Sequence, residues 1–110
     1  MDWIQLTSED QIEDIRKRSA EKPQVIFKHS TRCGTSSWAR NRLERSGPNE
    51  HIDFYFLDVI RNRAISRKVA EEFNVHHESP QVLIIRNGEC VYDESHHAIS
   101  LDEIVEFAVA

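Results

Sequence analysis

Cys33 has the setting of a nucleophilic thiol. An apolar run, Gln24-Val25-Ile26-Phe27-Lys28-His29, passes through a polar turn, Ser30-Thr31-Arg32, into Cys33-Gly34-Thr35-Ser36-Ser37 and a helical stretch to Arg45. A helix start presents unpaired N–H groups and the positive end of the helix dipole, and both favour a thiolate over a thiol. Cysteines placed this way lose their proton below the ordinary thiol value of about 8.5. Arg32 next to the thiol, with Lys28 and His29 at the strand end, is expected to add positive potential. A lone cysteine is also commonly a small buried apolar residue. The small, polar neighbours from Ser30 to Ser37 argue against that here.

The second cysteine, Cys90, lies far away in another context, so the two are read as separate thiols and not as a disulfide pair. Pro80 follows Ser79 directly before a core strand. It has no N–H for a sheet ladder, so it marks the strand's first position, and on general grounds an ordinary trans opener is expected. Four histidines, His76, His77, His96 and His97, sit in loops. Their spacing matches no strong metal-ligand motif, and no metal is expected. Trp3 and Trp38 read as packing residues.

The elements that position these groups follow from pattern. Trp3-Ile4-Gln5-Leu6 is a short strand. A first helix is expected from Ser8 to Ala20, with Thr7-Ser8 as a hydroxyl cap and Ile12 and Ile15 on one face. Gln24–His29 lacks alternation, as a strand buried on both faces does. The helix after Cys33 is expected to stop at Ser46-Gly47-Pro48. Asp53–Val59 is a second buried strand, Asn62–Phe73 a helix, and Val82–Ile85 a third core strand. Asn87-Gly88 signals a type I′ hairpin, with Glu89–Asp93 as its return strand. Ser100 caps a last helix with Leu101, Ile104, Val105 and Val109 inward. The order is β-α-β-α-β-α-β-β-α: an α/β fold, a central mixed sheet flanked by helices, in one domain spanning 1–110.

Composition bounds the function. With 39% hydrophobic and 30% charged residues, the chain suits one modest core. Its net charge of −5, from 14 basic and 19 acidic residues, speaks against a nucleic-acid partner. No apolar stretch is long enough to span a bilayer, and the N-terminus lacks the marks of a secretory leader, so no membrane association and a cytoplasmic location are expected.

Taken together, the strand, Cys-x-x-Ser at a helix start, Ser-Pro before a core strand, hairpin and final helix resemble the thioredoxin superfamily. More narrowly, Phe27–Cys33, His77-Glu78-Ser79-Pro80-Gln81 and Ser95-His96-His97-Ala98-Ile99 are similar to the YtxJ-type bacilliredoxins, monothiol proteins of the bacillithiol system. Family members carry a Thr-Cys-Pro-Ile-Ser-like motif, from which Gly34 and Thr35 depart.

The resemblance implies a thioredoxin-like fold, a cis Pro80 facing Cys33, and thiol–disulfide exchange. Cys33 would be the nucleophile, with Ser36 donating a hydrogen bond to its thiolate. Arg32, Gly34, Thr35, Ser79, Pro80 and His96 would form the substrate groove. Ser36 stands where a dithiol thioredoxin has its resolving cysteine, and Phe27 where it has a buried Asp. The two absences agree, since nothing at Ser36 needs deprotonation. No bound cofactor is implied. Bacillithiol or a similar small thiol would be co-substrate, small-thiolated proteins the clients, and a flavin disulfide reductase acting on the small thiol a further partner. Arg61 and Arg63 would be near enough to meet a ligand carboxylate, although solvated helix surface is the plainer role for both. A redox-sensing or partner-binding module without turnover is the alternative function.

Overall fold

The computed structural model describes residues 1–45 and 49–109. The strands are β1 (Trp3–Gln5), β2 (Gln24–His29), β3 (Asp53–Asp58), β4 (Gln81–Arg86) and β5 (Glu89–Ser95). The helices are α1 (Asp10–Arg18), α2 (Gly34–Glu44), α3 (Arg63–Phe73) and α4 (Leu101–Val109), with a 3-10 turn at His96–Ala98. This is the order expected from the sequence.

The five strands form one sheet in the order β1-β3-β2-β4-β5. β1 and β2 each run parallel to β3, while β4 is antiparallel to β2 and β5. β2 lies at the centre, and every one of its six residues is buried. Its side chains alternate between the two faces, as a pleated strand requires. Ile26 enters the core under α1 and α3, with Leu6, Ile15, Leu57, Val69 and Leu83. Val25 and Phe27 enter the core under α2 and α4, with Ala39, Leu43, Phe56 and Ile104. Trp3 packs on Phe27 with ring centroids 5.6 Å apart, and its indole N–H donates to Glu44.

Several boundaries differ from the sequence expectation. α1 is shorter than Ser8–Ala20, and neither Thr7 nor Ser8 caps it. Its N-cap is Glu9, and the Gln11 side-chain oxygen accepts the Thr7 and Ser8 N–H groups at 2.8 and 3.0 Å. A side chain in the first turn thus reaches back to the N–H groups ahead of the helix, as the glutamine of a capping box does. β5 runs on to Ser95 because its ladder with β4 continues to the Gln81↔Ser95 pair. The register shifts between Ile84 and Ile85, so Val91 is an extra residue on β5. Asn87 and Gly88 both have positive φ (51° and 81°), as a type I′ turn requires. The expected stop of α2 at Ser46-Gly47-Pro48 lies outside the described residues. Among the described residues, no helix is long and apolar enough to cross a membrane.

Lys28 is the anomaly of the central strand. It is fully buried, and desolvation lowers its pKa from 10.5 to about 8. Between those two values the unfolded chain holds a proton that the folded chain has released, so stability rises with pH. Across pH 8 to 10.5 the wild type is expected to gain about 3 kcal/mol relative to Lys28→Met. Urea unfolding of both proteins at pH 7.5 and 10 measures this; parallel stability curves would refute it.

Candidate functional site

Cys33 terminates the turn after β2. Its N–H donates to Ser30 O at 3.2 Å, and its carbonyl accepts the Ser37 N–H at 3.3 Å. It is the N-cap residue of α2, in extended conformation (φ −116°, ψ 118°) and half-buried. The thiol caps no backbone N–H in the usual cap geometry. Even so, the Ser36 backbone N–H pulls its pKa below the ordinary thiol value, helped by the Thr35 N–H and the Thr35 and Ser36 hydroxyls. Partial desolvation works the other way and loses.

The thiol is therefore activated by neutral donors at the helix start, not by the cations expected from the sequence. Arg32 is exposed beside it. His29 is buried, and desolvation, then the Arg40 charge, lowers its pKa and favours the neutral ring. Lys28 extends from the opposite face of β2, towards His77.

Ser36 is fully buried, and its Oγ accepts the Ser30 N–H at 3.2 Å. Since the oxygen already accepts from the turn, the hydroxyl proton is available to the sulfur. Thr35 is half-buried beside it. Gly34, the first residue of α2, is exposed, and a Cβ there would meet nothing within 4 Å.

Ser79 and Pro80 lie at the same end of the sheet. Gln81 pairs with Lys28, so Pro80 is alongside the end of β2, from which the turn leads to Cys33. The Ser79–Pro80 peptide is cis. His96, with φ of 58°, donates its N–H to Pro80 O at 3.0 Å, joining the end of β5 to this corner. Its imidazole turns to Glu78 at 3.5 Å and not to the thiol. Trp38 is exposed on α2, edge-on to His97 with centroids 5.0 Å apart and under the Arg42 guanidinium at 4.8 Å. The cysteine, Thr35 and Ser36 thus converge directly. Ser79, Pro80 and His96 lie at the same end of the sheet, and Arg32 and Gly34 are the exposed chain neighbours of Cys33.

Cys90 sits at the hairpin end, paired with Ile85, away from Cys33. Burial pushes its thiol up to about 11, and its Sγ donates to Tyr92 O at 3.4 Å. It is a packing residue. Among the described residues, no three His, Cys, Asp or Glu side chains gather to hold a metal.

Sequence reasoning named two residues but misplaced their side chains. His29 is buried against Phe27 and Phe56, and its Nδ1 has no hydrogen-bond partner. Lys28 is buried on the other face. Both close the strand before a polar turn, and the sequence does not tell that the two faces of the sheet cover them to the last residue.

Comparisons with known proteins agree with this geometry. Residues 4–104 match a family described as monothiol bacilliredoxin BrxC. A solved structure described as a candidate oxidoreductase with a thioredoxin fold is 32% identical, with a TM-score of 0.78, covering 94% of this chain and 90% of its own. The thioredoxins of Malassezia sympodialis (Mala s 13) and Schistosoma mansoni are 19% and 20% identical, with TM-scores of 0.79 and 0.74. The first alignment covers 99% of this chain and 92% of the other, the second 97% and 93%. At that identity, the two thioredoxins speak for the fold alone.

Two outcomes test the site. The alkylation rate of Cys33 should rise with pH through an inflection below that of a free cysteine. Ser36→Ala should move it only part of the way up, because the leading donor is a backbone N–H that alanine keeps; an unmoved inflection would exclude the hydroxyl. Separately, Gly34→Pro should stabilise the fold by about 0.4–1 kcal/mol, since proline suits a first helical position and Cys33 already has the extended backbone that precedes proline. A lower urea midpoint for this variant would contradict the N-cap assignment.

Proposed function

The chain belongs to the monothiol bacilliredoxin family and has the thioredoxin fold of thiol oxidoreductases, and on that premise we propose that it removes bacillithiol, or a similar small thiol, from protein mixed disulfides. The observation that carries this is the pair Cys33 and Ser36. An activated thiol opens α2, and a buried hydroxyl occupies the position from which a resolving thiol would attack.

The exchange balances without a bound cofactor. The Cys33 thiolate attacks the small-thiol sulfur of a client mixed disulfide. A bond forms between Cys33 and that sulfur, the old disulfide breaks, and the client leaves as a thiolate. A second small-thiol thiolate then attacks the adduct, releasing Cys33 and a symmetrical small-thiol disulfide. A flavin disulfide reductase recycles that product. Thr35 and Ser36 hold the negative charge on Cys33 between these steps, while Arg32, Gly34, Ser79, Pro80 and His96 border the space where the disulfide approaches. The client and both partners meet the protein in the cytoplasm.

The test is release of bacillithiol from a bacillithiolated client. Wild type should turn over, and Cys33→Ser should fall to the rate without enzyme. Equal rates would favour the alternative of a redox-sensing or binding module. Ser36→Cys should convert the chemistry: the small-thiol adduct should give way to an intramolecular disulfide, seen as a loss of two hydrogens by mass spectrometry. Persistence of the adduct would show that Ser36 is not placed as a resolving position.

A further inference from the structure

The exchange chemistry uses the α2 side of the sheet. At the same end of β2, the α3 side carries a second group of polar side chains. Lys28 Nζ lies 3.1 Å from His77 Nδ1, and Ser66 Oγ lies 3.3 Å from the same nitrogen. Desolvation, and then the Lys28 charge, lowers the His77 pKa. Neutral imidazole accepts the Lys28 proton through Nδ1, which leaves Nε2 as a donor. Among the described residues, no carboxylate lies within ion-pair distance of Lys28. The adjacent acid, Glu78, is turned towards His76 and His96 at 4.0 and 3.5 Å.

Beside this group is a cleft of about 300 Å³ lined by Val59, Ile60, Arg63, Ser66, Arg67 and His77. Arg63 and Arg67 are four residues apart, and so are neighbours on one face of α3. Neither forms an ion pair among the described residues, and α3 has no acid in its first turn. This concentration of positive charge stands out in a chain of net charge −5. A buried ammonium with only a neutral partner is costly, and an apolar side chain of similar length would pack there more cheaply. A missing countercharge accounts for its presence.

We propose that this cleft binds the carboxylate or phosphate group of a small molecule. Arg63 and Arg67 clasp the anion, and Ser66 and His77 donate hydrogen bonds to it. Lys28 supplies charge from behind His77. Val59 and Ile60 form an apolar wall, so the occupant carries a short carbon skeleton beyond its charged group. The cleft opens at the Cys33 end of the sheet, since Val59 N–H donates to His29 O at 2.9 Å, four residues before the thiol. The anion thus has two sources: a free organic acid or phosphate ester, or the acidic part of a thiol adduct on Cys33. The second source rests on the exchange reading; the first does not.

The experiment follows the His77 ring resonances by NMR in Cys33→Ser protein, which separates it from any failure of thiol exchange. Succinate and inorganic phosphate are titrated against chloride at constant ionic strength. Saturable shifts are expected with the oxyanions, and the midpoint should rise at least about tenfold in Arg63→Gln/Arg67→Gln, as expected for losing charge-assisted hydrogen bonds. Unchanged backbone amide shifts in β2 and β4 would show that the variant is folded. Wild type disulfide-bonded at Cys33 to glutathione or to mercaptoethanol distinguishes the sources. A His77 shift with glutathione alone assigns the anion to the adduct, and saturation by the free oxyanions alone assigns it to a separate molecule. Chloride-like, unsaturable responses with no adduct effect, or an unchanged midpoint in the double variant, would overturn the proposal.

Discussion

The burial of β2 along its whole length is the constraint on which the rest of the molecule depends. A strand covered on both faces cannot bend towards solvent or slip in register without exposing one core and unpairing two ladders. Its last residue, His29, pairs with Asp58, and the peptide that follows turns out of the sheet immediately. The Ser30 N–H to Ser36 Oγ bond closes that turn onto the new helix. The position of Cys33 is thus a consequence of where a buried strand runs out of neighbours.

The same pleat separates two kinds of polar chemistry by one residue. Phe27 and His29 face the α2 core, while Lys28 faces α3. On the α2 side, the thiol is favoured as thiolate by backbone N–H groups and hydroxyls that carry no net charge. Such donors lower a thiol pKa without offering a fixed cation to every passing anion, and are preorganised by the helix itself. The position six residues before the thiol holds no carboxylate: it is Phe27, part of an aromatic cluster with Trp3, Phe54 and Phe56. A protein that never has to deprotonate a second thiol in its own motif can keep that position apolar.

The two ends of the sheet are chemically distinct for topological reasons. The carboxyl ends of β2 and β3 and the start of β4 meet at one edge, which gathers Cys33, Pro80 and, through the Pro80 carbonyl, His96. The β4–β5 hairpin turns at the other edge, where Cys90 is packed and its thiol held protonated by burial. One cysteine is therefore available for exchange and the other is withdrawn from it by the same fold.

The element order, the strand–thiol–helix junction and the type I′ hairpin were all legible in the sequence, because each rests on local chemistry: period of hydrophobicity, helix-start composition, a turn dipeptide; the meaning of Ser36 came only with the family resemblance. The cap of α1 was misread, because Gln11 reaches back to the Thr7 and Ser8 N–H groups and the N-cap falls one residue later, at Glu9, a contact that composition does not rank. The source of thiol activation was also beyond the sequence. Arg32, Lys28 and His29 lie within five residues of Cys33, yet they point to solvent, to α3 and into the aromatic core. Only the tertiary structure decided which way each faced, because sequence proximity says nothing of direction until a strand's pleat and its two buried faces assign one.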